Sequence, residues 1–126
     1  MSRVLVAEDD PEMRKLVVEA LRKDGHEILE ASDGAQMLVL LAETFHRDHG
    51  LDSVDVIVTD VRMPGENGLD VVERVTQARW KIPCVLMTAF GDDEVRWRAQ
   101  KMGATLLDKP LSLADLRAAV ARLVQR

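Results

Sequence analysis

Residues 56–60 read Val-Ile-Val-Thr-Asp, and Met63-Pro64-Gly65 follow almost at once. A carboxylate placed where a buried, apolar strand runs out into a loop stands at the C-terminal edge of a sheet, where open α/β sheets carry their ligand sites. The first apolar run, Val4-Leu5-Val6-Ala7, ends the same way, in Glu8 and Asp9. If both runs belong to one sheet, Glu8, Asp9 and Asp60 share one crevice. Two like charges about 4 Å apart repel by roughly 4 kcal/mol at an effective dielectric near 20, so such a cluster calls for a cation among its oxygens. Hard oxygen ligands with open positions suit Mg²⁺.

Working outward, strand-like runs alternate with segments of helical period. The strands are predicted over 3–7, 26–31, 54–59, 83–88 and 104–107, with stretches between them long enough for crossover helices. That alternation predicts a parallel sheet. After the first strand, Asp10 caps a helix with Pro11 at its first position, and Met13, Leu16, Val17, Ala20 and Leu21 fall on one stripe before Gly25 stops it. In the last helix Ser112 caps, Asp115 stands three residues on, and Leu113, Leu116, Val120, Leu123 and Val124 form the buried face. Residues 37–42, Met-Leu-Val-Leu-Leu-Ala, are apolar almost all round, so that helix needs covering on more than one side.

Composition narrows the function classes. The chain has 126 residues, enough for one domain with a real core. Its 22 acidic and 17 basic side chains leave a net charge of −5, which offers no basic groove for nucleic acid. Cys84 is the single cysteine, so no disulfide forms within the chain, and its apolar neighbours make it a small core hydrophobe. No apolar run approaches membrane-spanning length and no charged segment precedes one, so the expectation is a soluble, cytoplasmic protein.

These residues resemble the receiver domains of bacterial two-component response regulators. The resemblance runs from Val4-Leu5-Val6-Ala7-Glu8-Asp9-Asp10 through Asp60-Val61-Arg62-Met63-Pro64-Gly65 with Gly68, then Thr88-Ala89, and lastly Lys109-Pro110. Four pieces in order, each at the end of a successive core strand, make it specific. It implies a doubly wound, flavodoxin-like fold, a five-stranded parallel sheet in the order 2-1-3-4-5, over residues 1–126 as a single receiver domain. It implies that Asp60 is the phosphoacceptor and that Thr88 and Lys109 are the phosphate-sensing hydroxyl and ammonium. Mg²⁺ would be held by Asp9, Asp60 and the backbone carbonyl of Arg62, with Glu8 acting through water. The Lys109–Pro110 bond would be cis. The implied partners are a sensor histidine kinase or a histidine phosphotransfer protein, with no nucleic acid and no membrane contacted by this domain itself.

The chemistry supports those roles. An aspartate carboxylate is a competent nucleophile toward phosphorus, and phosphoryl transfer needs mostly positioning and charge neutralisation. The function expected is a phosphorylatable switch, with self-phosphorylation and slow dephosphorylation as its only reactions. Two other readings stand beside it, the first of them on the same fold. A phosphorylation-independent interaction module has no need of the complete set Glu8, Asp9, Asp60, Thr88 and Lys109. A haloacid-dehalogenase-like hydrolase wants a second acid two residues after its nucleophile, where Arg62 stands.

Several positions depart from the family pattern. Leu106 takes the place of the usual Tyr or Phe, which removes the aromatic rotamer switch. Glu8 replaces the commoner Asp. Residues 45–53 make a longer connection than usual, and either they, through Phe45 and Leu51, or a partner protein are expected to cover the apolar helix. The resemblance implies that Arg62 and Phe90 flank the path of attacking water, which a long cation and an apolar ring orient poorly, so a long-lived phosphorylated state is expected. His46 and His49 lie in a polar segment without a third ligand and read as solvated; Trp80 reads as cover for a helix end. In the helix after Thr88, Val95, Ala99 and Met102 share one face and leave Trp97 opposite, in solvent. The family commonly uses that surface for dimers or partners, which makes Trp97 the expected anchor of a homodimer or partner interface.

Overall fold

The computed structural model describes residues 2–45, 54–63, 65, 67–78, 81–89 and 93–124, with the side chain of Phe45 excepted. Five strands and five helices alternate through it: β1 (Arg3–Ala7), α1 (Pro11–Lys23), β2 (Glu27–Ala31), α2 (Gly34–Phe45), β3 (Val56–Asp60), α3 (Gly68–Gln77), β4 (Cys84–Thr88), α4 (Asp93–Met102), β5 (Thr105–Asp108) and α5 (Leu113–Val124). All strand pairs are parallel and the sheet order is β2-β1-β3-β4-β5. The readings placed on His46, His49, Leu51, Pro64, Trp80 and Phe90 lie outside the described residues.

Alternation along each central strand divides the core into two halves. Val4, Val6, Val56, Val58, Val85 and Met87 pack with Val17, Val18 and Leu21 of α1 and Leu116, Ala119 and Val120 of α5. Leu5, Ala7, Ile57 and Leu86 pack with residues of α2, α3 and α4. Strands covered on both faces can be apolar at every position. Cys84 belongs to this second half, buried at the start of β4.

The helix signals in the sequence act as read. The Asp10 carboxylate accepts from the amides of Glu12 and Met13, and Ser112 Oγ accepts from the amide of Asp115. Gly25 follows α1 with a φ of 89°, a conformation that costs a glycine little. The stripe on α1 is rotated from its predicted place. Leu16 is 51% exposed, while Val18 is buried beside Val17 and Leu21. At about 100° per residue, the inward face is centred near Leu21 and takes in Arg14, whose guanidinium reaches the carbonyl of Glu8. Val18 thus takes the inward place beside Val17 that the stripe gave to Leu16.

In α2, Met37 and Leu41 are fully buried while Val39 remains 56% exposed. Ala35, Gln36, Val39 and Leu40 line an open hollow against Glu30 on the edge strand β2.

The turn after β3 brings α3 close to the sheet. The Gly68 amide donates to the carbonyl of Val61, and the Asn67 side chain caps α3 by accepting from the amide of Leu69. A Cβ on Gly68 would run into the backbone carbonyl oxygen of Asp60 and the hydroxyl of Thr59. Backbone cannot yield as a flexible side chain does. Gly68→Ala is therefore expected to destabilise the domain by about 1–3 kcal/mol, the usual range for overpacking, measured by urea unfolding. An unfolding midpoint equal to wild type would show that the turn relaxes freely.

Candidate functional site

Parallel register brings the strand ends together. Ala7 of β1 pairs with Thr59 of β3, and one step further on both chains turn acidic, at Glu8 and Asp60. Asp60 in turn pairs with Met87, and the next residue of β4, Thr88, pairs with Asp108 immediately before Lys109. The amide of Lys109 donates to the carbonyl of Thr88, which holds the loop after β5 beside the end of β4. The Lys109–Pro110 bond is cis. Asp9 follows Glu8 in the loop before α1, and Arg62 stands exposed two residues beyond Asp60.

The Lys109 ammonium links the acids. Its Nζ lies 3.0 Å from Glu8 Oε1 and 3.2 Å from Asp60 Oδ2. Glu8 is fully buried, Asp60 almost so and Thr88 likewise, whereas Asp9 is exposed. Glu8 also accepts from the amide of Asp10 at 3.2 Å through its second oxygen. Burial pushes the Glu8 carboxyl above its ordinary value; Lys109 and the Asp10 amide pull it down, and the charge of Asp60 adds to the rise. For Lys109, burial disfavours the ammonium, but Glu8 and Asp60 outweigh it and hold its pKa above the ordinary lysine value. Cys84 takes no part in this chemistry, since burial raises its thiol to about 12.

The donor set suits a small hard cation. One carboxylate oxygen from each of Glu8, Asp9 and Asp60 lies within 4.8 Å of the others. Opposite ligands around Mg²⁺ are separated by about 4.2 Å, twice its usual bond length, so small side-chain movements bring these oxygens into range. Three carboxylates against one ammonium leave two negative charges when all are ionised. The crevice already accepts one cation, that of Lys109, and has charge left for another.

The sequence matches the family described as response regulator receiver domain over residues 4–121. This chain belongs to that family. The receiver is 39% identical to the transcriptional regulatory protein PdtaR of Mycobacterium tuberculosis, over 98% of this chain and 57% of that protein. It is 32% identical to the transcriptional regulatory protein CpxR of Escherichia coli, over 100% of this chain and 50% of that one. The receiver thus spans about half the length of these curated relatives. Among solved structures, it superposes on a response regulator receiver domain protein from Clostridium thermocellum with a TM-score of 0.86 and 28% identity, covering 100% of this chain and 96% of that one. The chemotaxis protein CheY4 of Vibrio cholerae gives a TM-score of 0.80 at 28% identity, over 98% of both chains.

All six site residues anticipated from sequence fall at the C-terminal edge of the sheet, on the ends of β1, β3, β4 and β5. Arg14, whose guanidinium reaches the carbonyl of Glu8, is not among the residues singled out from the sequence, where a cation between the apolar positions of α1 carries no signal of its own. Among the described residues no helix is long and apolar enough to cross a membrane.

The raised Glu8 carboxyl has a pH signature. A folded-state value above the unfolded one means that the fold holds this proton more tightly, so the associated stability is complete below the ordinary carboxylate range and is lost as pH rises through the raised value. Glu8→Gln keeps an acceptor and cannot ionise. In EDTA at pH 7.5 its urea midpoint should exceed that of wild type, with the advantage shrinking as pH falls through the raised Glu8 value. A variant no more stable than wild type at pH 7.5 would mean that the Lys109 contact outweighs the burial of the charge.

Proposed function

We propose that this receiver accepts a phosphoryl group on Asp60 from a phosphohistidine of a sensor histidine kinase or a histidine phosphotransfer protein, in a Mg²⁺-dependent reaction, and returns it slowly to water. The observation that carries this reading is the Asp60 carboxylate at the end of β3, with an ammonium at 3.2 Å and oxygens of Glu8 and Asp9 within reach of a shared cation. A carboxylate oxygen of Asp60 attacks phosphorus, the P–N bond breaks, and the imidazole leaves. Mg²⁺, when bound, neutralises phosphoryl oxygens and favours the in-line displacement. Asp9, Asp60 and the backbone carbonyl of Arg62 would hold the metal, with Glu8 acting through water.

Lys109 starts on the two acids and moves its charge toward the incoming phosphoryl oxygens. The Thr88 hydroxyl, at the neighbouring strand end, donates to the same group. Arg96 of α4 pairs with Asp108 immediately before Lys109, and the strand that ends in Thr88 is followed in the chain by α4, so the change at the site is passed to that helix and to a partner or output domain. With Leu106 in β5, an aromatic ring is not the carrier.

Intact-mass measurement after incubation with phosphoramidate or acetyl phosphate tests the acceptor. A single added phosphoryl group is expected with Mg²⁺ and none in EDTA, and Asp60→Asn should abolish it. Undiminished labelling of that variant would end the proposal.

The outer side of α4 supplies the partner surface. Trp97 is 59% exposed, and the Lys101 ammonium lies 4.5 Å from the centre of its ring. A large aromatic covered on one side by a cation presents an apolar body to a partner or a second copy. With Mg²⁺ and beryllofluoride, which stands in for the phosphoryl group, sedimentation should detect self-association that Trp97→Ala weakens. A monomer in both states, with Trp97 fluorescence unmoved, would remove this surface from the output path.

A further inference from the structure

Beyond the acids themselves, the peptide that joins Glu8 to Asp9 needs an anchor. Strand β1 ends at Ala7, so the carbonyl of Glu8 has passed out of the ladder although its side chain is fully buried. The Glu8 amide is fixed by the carbonyl of Ala31 at 3.1 Å. Its carbonyl is fixed from the other side by Arg14, whose Nη1 donates to it at 2.8 Å. Arg14 is itself held: its Nε lies 3.5 Å from Glu30 Oε1 on β2, and its backbone amide donates to the carbonyl of Asp10 at 2.9 Å. Its side chain is only 22% exposed. One planar cation thus connects α1, the edge strand and the peptide between two of the three crevice acids.

We propose that Arg14 is a positioning residue for the cation site: by bonding the Glu8 carbonyl it sets the plane of the Glu8–Asp9 peptide and so aims the exposed Asp9 carboxylate at the crevice. This rests on the Mg²⁺-dependent reading above. Asp9 is followed by the helix cap Asp10, so a rotation of the 8–9 peptide would be taken up largely at Asp9. Partners that orient metal ligands typically change metal affinity tenfold or more when removed.

The sign of the effect separates positioning from charge. A guanidinium near a cation site repels the metal, so by its field alone the loss of Arg14 would tighten Mg²⁺ binding. Positioning requires the opposite. Mg²⁺ titration by calorimetry on the 126-residue chain, repeated with Mn²⁺ by electron paramagnetic resonance, should give wild type as the tightest binder, Arg14→Lys weaker because it lacks the planar fork, and Arg14→Gln weaker still by roughly tenfold. Arg22→Gln is the control, because it removes the same charge from α1 and a contact to Glu30 at 3.7 Å without touching Glu8; its affinity should match wild type. These affinities are read on folded protein, so a general loss of stability does not mimic the result.

An Arg14→Gln variant that binds Mg²⁺ as tightly as wild type, or tighter, overturns the proposal. If that variant does not fold, Arg14→Lys decides, and equal affinity there is equally fatal. A wild-type chain that takes up no Mg²⁺ sinks the phosphoryl-acceptor reading itself, and this inference with it.

Discussion

Mutual repulsion among two buried carboxylates and an exposed third is the constraint around which this fold is arranged. Parallel register forces Glu8 and Asp60 to emerge side by side, and Asp9 adds a third charge to the same edge. The Lys109 ammonium, contributed from the far end of the chain, answers that repulsion through contacts 101 and 49 residues away in sequence. The site is therefore a property of the whole sheet. Any change that moves β5 relative to β1 alters the charge balance at Asp60, and any change in charge at Asp60 pulls on the loop after β5.

Much of this was legible before any coordinates. Apolar runs buried on both faces have a strong signature, and their acidic or hydroxyl ends mark the sheet edge, so Glu8, Asp9, Asp60, Thr88 and Lys109 could be placed on successive strands from spacing and family resemblance alone. The caps at Asp10 and Ser112 act as their residue types dictate. Strand ends shifted by a residue or two: β2 begins at Glu27 and β3 at Val56.

What could not be read was rotation. A stripe drawn through apolar residues placed Leu16 inward on α1, because Leu16 and Val18 flank Val17 and periodicity alone does not choose between them. Val18 packs in the core with Val17 and Leu21, Leu16 is left in solvent, and Arg14 on the same inward side reaches the Glu8 carbonyl, a contact that lies outside any pattern in the sequence. The apolar all-round character of α2 was read correctly, and Val39 does remain uncovered among the described residues.

The footing of α4 differs from that of the other helices. Only Val95 and Ala99 are buried from it, one of them an alanine, with Met102 partly buried behind them. Its lateral attachments are ionic: Arg98 reaches Asp70 and Glu73 on α3, and Arg96 reaches Asp108 at the end of β5. Residues two apart on a helix project to nearly opposite flanks, so the two arginines act as guy-ropes on either side of a mast with a shallow base. Apolar footing is not screened by electrolyte, whereas such partly exposed pairs weaken as ions screen them. Local opening costs least where few apolar contacts are buried, so the hold of this helix on the domain depends on the ionic strength of the surrounding medium.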